Sequence, residues 1–223
     1  MHPASFISSF KRFVSILVLL ALVLAGVAFF GRALAVVDGP QKNGPFLQDD
    51  REYDVLFFGS SHMVNDVFPM VLWKDYGLTS YNLGGHGASI AASYWELRLA
   101  TQYHKPKVAV LDVLFAGSQV TEMEPGLAHE LLDIYPLSRT KAEAVQDLFE
   151  ESGTRAEMLF PLDVYHNRWK ELDSGMVRRG LRGERAYSPE KGGQIRAGLY
   201  PLAQEPLVPE TCLLYTSDAA DEL

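Results

Sequence analysis

Tyr53-Asp54-Val55-Leu56-Phe57-Phe58-Gly59-Ser60-Ser61-His62 is the stretch that decides the fold. Its first six residues form a short apolar run rich in strand formers, and Gly59-Ser60-Ser61-His62 reads as a turn. That pattern predicts a buried strand feeding a loop. Pro69 suits the first turn of a helix reaching Tyr76, and Gly77 suits its end. Thr79–Leu83 is a second strand candidate, running into Gly84-Gly85-His86-Gly87-Ala88. Ser89 can cap a helix from Ile90 to Tyr103, with Ala92, Trp95, Leu99 and Tyr103 on one side and Pro106 as the breaker. Val108–Val113 is a third strand, apolar throughout.

Strand, helix, strand, helix and strand within about 60 residues predict an α/β domain: a parallel sheet with helices on both faces. In such sheets ligands bind beyond the carboxyl ends of the strands. Both glycine- and serine-rich turns fall at that edge. Further on, Ser138 caps a predicted helix ending near Glu151, with Ala142, Val145 and Leu148 inward and Gly153 closing it. Leu162, Tyr165, His166, Trp169 and Leu172 recur at helical spacing, and Asp173–Pro209 reads as a long excursion.

Phe13–Phe30 is apolar except for Ser15 and Gly26, close to the ~20 residues a bilayer core requires. Lys11 and Arg12 precede it, so the positive-inside rule keeps residues 1–12 in the cytoplasm and sends the rest out. The reading is a signal anchor over 13–37, a linker over 38–52 and a domain over 53–211. A cleaved signal peptide is the alternative, with Ala33-Leu34-Ala35 as its site. Either way the domain lies outside the cytoplasm, on the plasma membrane if the anchor is kept.

The net charge is −8. Nucleic acid is an unsuitable partner, because phosphate backbones need clustered Lys and Arg. The one basic cluster, Arg178, Arg179, Arg182 and Arg185, reads as a solvated face rather than a binding patch. Cys212, the single cysteine, excludes an internal disulfide and a cysteine-based zinc site. Residues 212–223 look like a translated library adapter, which leaves a cysteine-free native part. The other reading is a genuine polar tail.

A serine hydroxyl becomes a nucleophile when a base takes its proton and donors hold the developing oxyanion. Ser61, in a turn between a buried strand and a helix, meets part of that need. Gly59-Ser60-Ser61-His62 resembles the Gly-Asp-Ser-Leu block of the SGNH/GDSL hydrolases. Asn82-Leu83-Gly84-Gly85-His86-Gly87 resembles the family's second block. The match runs from about Asp54 to Val113, and its Ser-Ser-His form is similar to membrane-anchored members that modify cell-envelope polymers. The resemblance implies a flavodoxin-like fold, Ser61 as catalytic nucleophile, and an oxyanion hole from the Ser61 and Gly87 N–H groups. His62, Asn82 and His86 would line the pocket.

The expected function is thus a membrane-anchored serine esterase or O-acyltransferase. Its partners would be the lipid bilayer and an acylated polysaccharide or other envelope substrate. No cofactor and no metal are implied. Two departures are expected to matter. Asp112-Val113-Leu114 stands where the family's third block, Gly-x-Asn-Asp, would follow the third strand. No Asp-x-x-His is read within the chain, so the general base and its orienter are placed beyond about Thr211, and the chain as it stands is expected to be inactive. The alternatives are an inactive scaffold of the same fold, or a sugar- or nucleotide-binding membrane protein. His104, His129 and the pairs Asp49-Asp50 and Glu150-Glu151 read as solvated, and His166 as a packing histidine.

Overall fold

The structure is a computed structural model that describes residues 3–34, 44–117, 123–182 and 188–194. Arg185, the rest of the expected domain to 211 and the adapter-like tail at 212–223 lie outside the described residues.

The chain opens with α1 (Pro3–Leu34), which contains the apolar stretch Phe10–Gly31. Those 22 residues at ~1.5 Å each span about 33 Å, the thickness of a bilayer's hydrocarbon core. The stretch has no buried face. A helix apolar all round and left exposed is compatible with a single-pass or signal anchor. The helix is described to Leu34, residues 35–37 of the expected anchor lie outside the described residues, and Lys11 and Arg12 belong to the helix.

A short 3-10 turn (Gly44–Gln48) leads to β1 (Val55–Phe58). Then come α2 (Ser61–Asp66), α3 (Pro69–Tyr76), β2 (Ser80–Asn82), α4 (Ile90–Ala100) and β3 (Val108–Leu111). The strands form a parallel sheet of order β2-β1-β3. Leu56 pairs with Tyr81 and Ala109, and Phe57 with Asn82 and Val110. Side chains alternate across a strand, so Leu56 and Tyr81 share one face while Phe57 and Asn82 share the other. On the first face Phe46, Tyr53, Leu56, Phe58, Tyr81 and Leu83 pack with Ala100 of α4. On the second face Asn82 reaches the α2 backbone. Helical structure therefore lies on both sides of this small sheet.

The predicted stops hold where one residue controls them. Pro69 opens α3, and Gly77 ends it at φ 68° in the left-handed region. Ser89 caps α4 by accepting from the Ala92 N–H, and Ser138 caps α6 (Arg139–Leu148) by accepting from the Lys141 N–H. Elsewhere the structure corrects the sequence. α4 ends at Ala100, not Tyr103. Gly153 does not close α6, which ends at Leu148; it lies inside α7 (Ser152–Leu159). Residues 162–172 split into α8 (Leu162–Tyr165) and a 3-10 turn (His166–Glu171), and the excursion contains α9 (Ser174–Arg182).

The largest correction concerns β3. The sequence predicts a buried strand, but Val108, Ala109 and Leu111 are exposed. Among the described residues no second core covers it. The main helical core lies elsewhere, where α4, α5 (Pro125–Leu132), α6 and α7 bury Leu99, Leu131, Leu132, Val145, Leu148 and Met158.

His104 and His129 are buried, not exposed. The His104 Nε2 lies 2.8 Å from the Phe46 carbonyl, with the ring packed on Phe46 and Tyr53. The His129 Nδ1 lies 3.0 Å from both Asp133 carboxylate oxygens, one of which also accepts from the Tyr165 hydroxyl. Asp49 is not a solvated linker residue either: it accepts from Arg51, Tyr53 and Lys191. The Arg51 hydrogen bond outweighs burial, and with Lys191 and Tyr53 it holds the Asp49 carboxyl far below the usual carboxylate range. His166 is exposed, so it is no packing histidine.

Candidate active site

The carboxyl ends of β1, β2 and β3 meet at one edge. β1 stops because Gly59 takes φ 148°, and because a Cβ there would lie 2.3 Å from the Asp112 Cβ. Only glycine lets the loop pass that close to the end of β3. Ser60 follows, almost wholly buried. Its hydroxyl donates to the Asp112 Oδ2 at 2.6 Å and accepts from the His62 N–H at 3.3 Å. Ser60 is thus the N-cap of α2, satisfying a helix-end donor that would otherwise lack a partner.

Ser61 is the first residue of α2, half-buried at the strand edge. Among the described residues its hydroxyl has no hydrogen-bond partner. His62 is exposed on the next position and contributes favourable charge to Asp112. The Asp112 carboxylate is where sequence reasoning saw only a missing Asn. Burial pulls its pKa up. The Ser60 hydroxyl, the Leu114 and Ser60 N–H groups and the His62 charge together outweigh burial and hold it below the usual value. Its signal was present in the sequence: an aspartate directly after the third strand, on the edge where the other two turns lie.

The second turn lies against the first. The Gly85 N–H donates to the Gly59 carbonyl at 2.9 Å. A Cβ on Gly84 would come within 2.7 Å of the Met63 Cβ and 3.2 Å of the Ser60 carbonyl. Asn82, fully buried, braces this junction. Its carboxamide donates to the Met63 and Val67 carbonyls at 2.6 and 2.9 Å and accepts from the Gly84 N–H at 3.0 Å. Both amide hydrogens are used, so Asn82 holds α2 and the loop in place and has no hydrogen to offer a ligand.

Gly87 is exposed at φ 66°, and its N–H has no partner among the described residues. A Cβ there would meet the Leu127 Cδ1 at 2.9 Å. His86 is half-buried, and its Nε2 lies 3.3 Å from the Gln194 Oε1. The structure therefore brings the Ser60-Ser61-His62 turn and the Gly84–Gly87 turn together at one edge. It does not join a histidine ring to the Ser61 hydroxyl among the described residues.

One Asp-x-x-His spacing does occur in the chain, contrary to the expectation above: Asp163-Val164-Tyr165-His166. The His166 Nδ1 faces the Asp163 backbone carbonyl, not its carboxylate. Asp163 sits on α8, which packs against α1 and α7, and His166 opens the 3-10 turn after it. Among the described residues no three metal-ligating side chains converge.

A scan against protein-family models finds no match to this chain. Searches of curated proteins and of solved structures return no match either.

Proposed function

We infer that the chain is a membrane-anchored SGNH-type serine esterase or O-acyltransferase of flavodoxin-like fold, acting outside the cytoplasm on an acylated envelope substrate. The observation that carries this reading is the position of Ser61. It stands at the carboxyl end of the central parallel strand, with a hydroxyl that has no hydrogen-bond partner among the described residues, beside the turn whose Gly87 N–H likewise has none among them. Ser60 cannot take that role, because its hydroxyl is spent on Asp112.

In the proposed reaction the Ser61 Oγ attacks the acyl carbonyl carbon and loses its proton to a general base. The Ser61 and Gly87 N–H groups hold the oxyanion. Collapse breaks the bond to the leaving alcohol, which takes the proton, and leaves an acyl-serine. Water or a sugar hydroxyl then accepts the acyl group. The resemblance assigns the base to a histidine of an Asp-x-x-His pair; the geometry of His166 does not suit it.

Ala33 and Leu34 are buried, and the Arg168 Nη1 donates to the Leu34 carbonyl at 2.5 Å. A peptidase would have to undo that packing to cut after Ala35, which favours an uncleaved anchor. A non-enzymatic scaffold is the second reading. It is favoured by the absence of a base on Ser61 among the described residues.

A fluorophosphonate probe on the protein expressed in membranes from its gene, sequenced past the codon for Thr211, separates the two. Enzyme chemistry gives labelling that maps to Ser61, persists in Ser60→Ala and vanishes in Ser61→Ala. Labelling that survives Ser61→Ala, or no labelling of folded protein, overturns the catalytic assignment.

A further inference from the structure

α9 is short, yet it lies along the last turns of α1. A Cβ on Gly180 would come within 2.7 Å of the Phe29 ring and 3.0 Å of the Ala33 Cβ. Only a glycine admits this approach, and it fixes where α9 sits. Phe29 lies inside the apolar stretch that ends at Gly31. Two residues of helix rise only ~3 Å, so Gly180 stands within one turn of the place where the span runs out. The 3-10 turn His166–Glu171 reaches the same place, through the Arg168 bond to the Leu34 carbonyl. α8 packs on α1 as well.

The groups held there are those of a water–lipid boundary. Trp169 is 60% exposed and Leu181, next to Gly180, is 72% exposed; Val164 and Leu172 are also open. Tryptophan with its apolar body and polar N–H favours that boundary. The α9 sequence, Ser-Gly-Met-Val-Arg-Arg-Gly-Leu-Arg, has three arginines and no acid. Lys170 and Arg178 are exposed. Between Val164 and Arg182 the acids are Glu171, which pairs with Arg168, and Asp173, which accepts from the Met176 N–H at the start of α9. Exposed apolar residues beside cations that have no acidic partner among the described residues, fixed to the end of a span, suit headgroup phosphates above and acyl chains below.

We propose that the segment from Val164 to Arg182 is an interfacial collar that docks on anionic phospholipid headgroups of the leaflet through which α1 leaves the bilayer. The inference rests on α1 spanning that bilayer and is independent of any chemistry at Ser61. The collar fixes the angle between the anchor and the domain, because α1, α8 and α9 then share one lipid surface.

The test is spin-label accessibility in the full chain in nanodiscs, with Cys212→Ser as background. Labels go at Leu181→Cys, at Leu22→Cys in mid-span and at Leu137→Cys, an exposed residue between α5 and α6. Docking predicts that the Leu181 label, like Leu22, collides with oxygen and loses collision with a water-soluble nickel chelate, while Leu137 keeps it. Arg178→Ala should shift the docked-to-free ratio about fivefold in phosphatidylglycerol-containing discs, and leave it unchanged in phosphatidylcholine alone. A Leu181 label as open to nickel as Leu137, with Leu22 protected, overturns the collar and leaves the span standing. Nickel access at both Leu22 and Leu181 overturns span and collar together. Equal docking in the two lipids overturns the anionic headgroup as its partner.

Discussion

Ser60 and Asp112 share a 2.6 Å hydrogen bond between the loop after β1 and the residue after β3. Asp112 also accepts from the Ser60 and Leu114 N–H groups. One carboxylate therefore holds two strand ends and the cap of α2, and Ser61 inherits its position from that bond. Ser60→Ala removes the hydroxyl and leaves Asp112 short of a partner. A hydrogen bond to a charged group contributes about 1.5–3 kcal/mol, so a loss of that size is expected in chemical denaturation. Asp112→Asn should cost less on the Ser60→Ala background than alone, and a double-mutant cycle reads the difference.

Asn82→Ala is expected to act at a distance from its own strand. The Met63 and Val67 carbonyls would lose their donor, at about 1–3 kcal/mol for buried groups left unpaired. Hydrogen exchange should quicken across residues 61–67 more than across β1.

Acid should unfasten the opposite edge of the sheet. Asp54 accepts from the Lys107 Nζ at 2.7 Å, the Thr79 hydroxyl at 2.7 Å and the Thr79 N–H at 3.0 Å. The Lys107 bond, followed by those of Thr79, lowers its pKa to about 2. A carboxyl whose folded pKa is depressed binds protons more readily when unfolded. Its contribution is therefore complete above the unfolded value of ~3.9 and is lost as pH falls towards 2. Denaturation midpoints measured from pH 6 to pH 2 should fall below pH 4, and less steeply in Asp54→Asn.

Gly192 and Gly77 both take positive φ, but they differ in space. A Cβ on Gly192 would lie 1.8 Å from the Asn82 carbonyl oxygen, whereas one on Gly77 meets nothing within 4 Å. Gly77→Ala should cost ~1–2 kcal/mol from backbone conformation alone. Gly192→Ala should cost more and free residues 188–194 from β2, seen as new cleavage there in limited proteolysis.

β3 presents apolar side chains to solvent, and Val113 and Leu114 just after it do the same. Exposed apolar edge strands template aggregation. Val113→Lys should lower light scattering of detergent-solubilised protein on warming without changing its melting temperature.

The local part of this architecture could be read from residues that act alone. Pro69, Gly77, Ser89 and Ser138 each start or stop an element through their own backbone or hydroxyl chemistry. β1 and β3 were legible as apolar runs and β2 as a short segment between turns, and their parallel direction was legible from the helices between them. The exposure of β3 was not, because an apolar run carries no record of what covers it. The Ser60–Asp112 bond was hidden for a different reason: comparison with a family motif made Asp112 look like a missing Asn. Asp49 was misread as solvated although Arg51 and Tyr53 lie close by in sequence; its third partner, Lys191, is remote, and the pairing of Lys191 with β2 has no local signal at all.

That last pairing sets a timetable for synthesis. The outer edge of β2 is completed when the Asn82 N–H donates to the Lys191 carbonyl and Gly192 closes over Asn82. Lys191 is made roughly a hundred residues after Asn82, and at ~5–20 residues per second that delay is about 5–20 s. Throughout it α1 has already left the ribosome, while β2 still has an unpaired edge. A nascent chain of this protein is tethered early and finished late, and that interval is when a holdase is needed most.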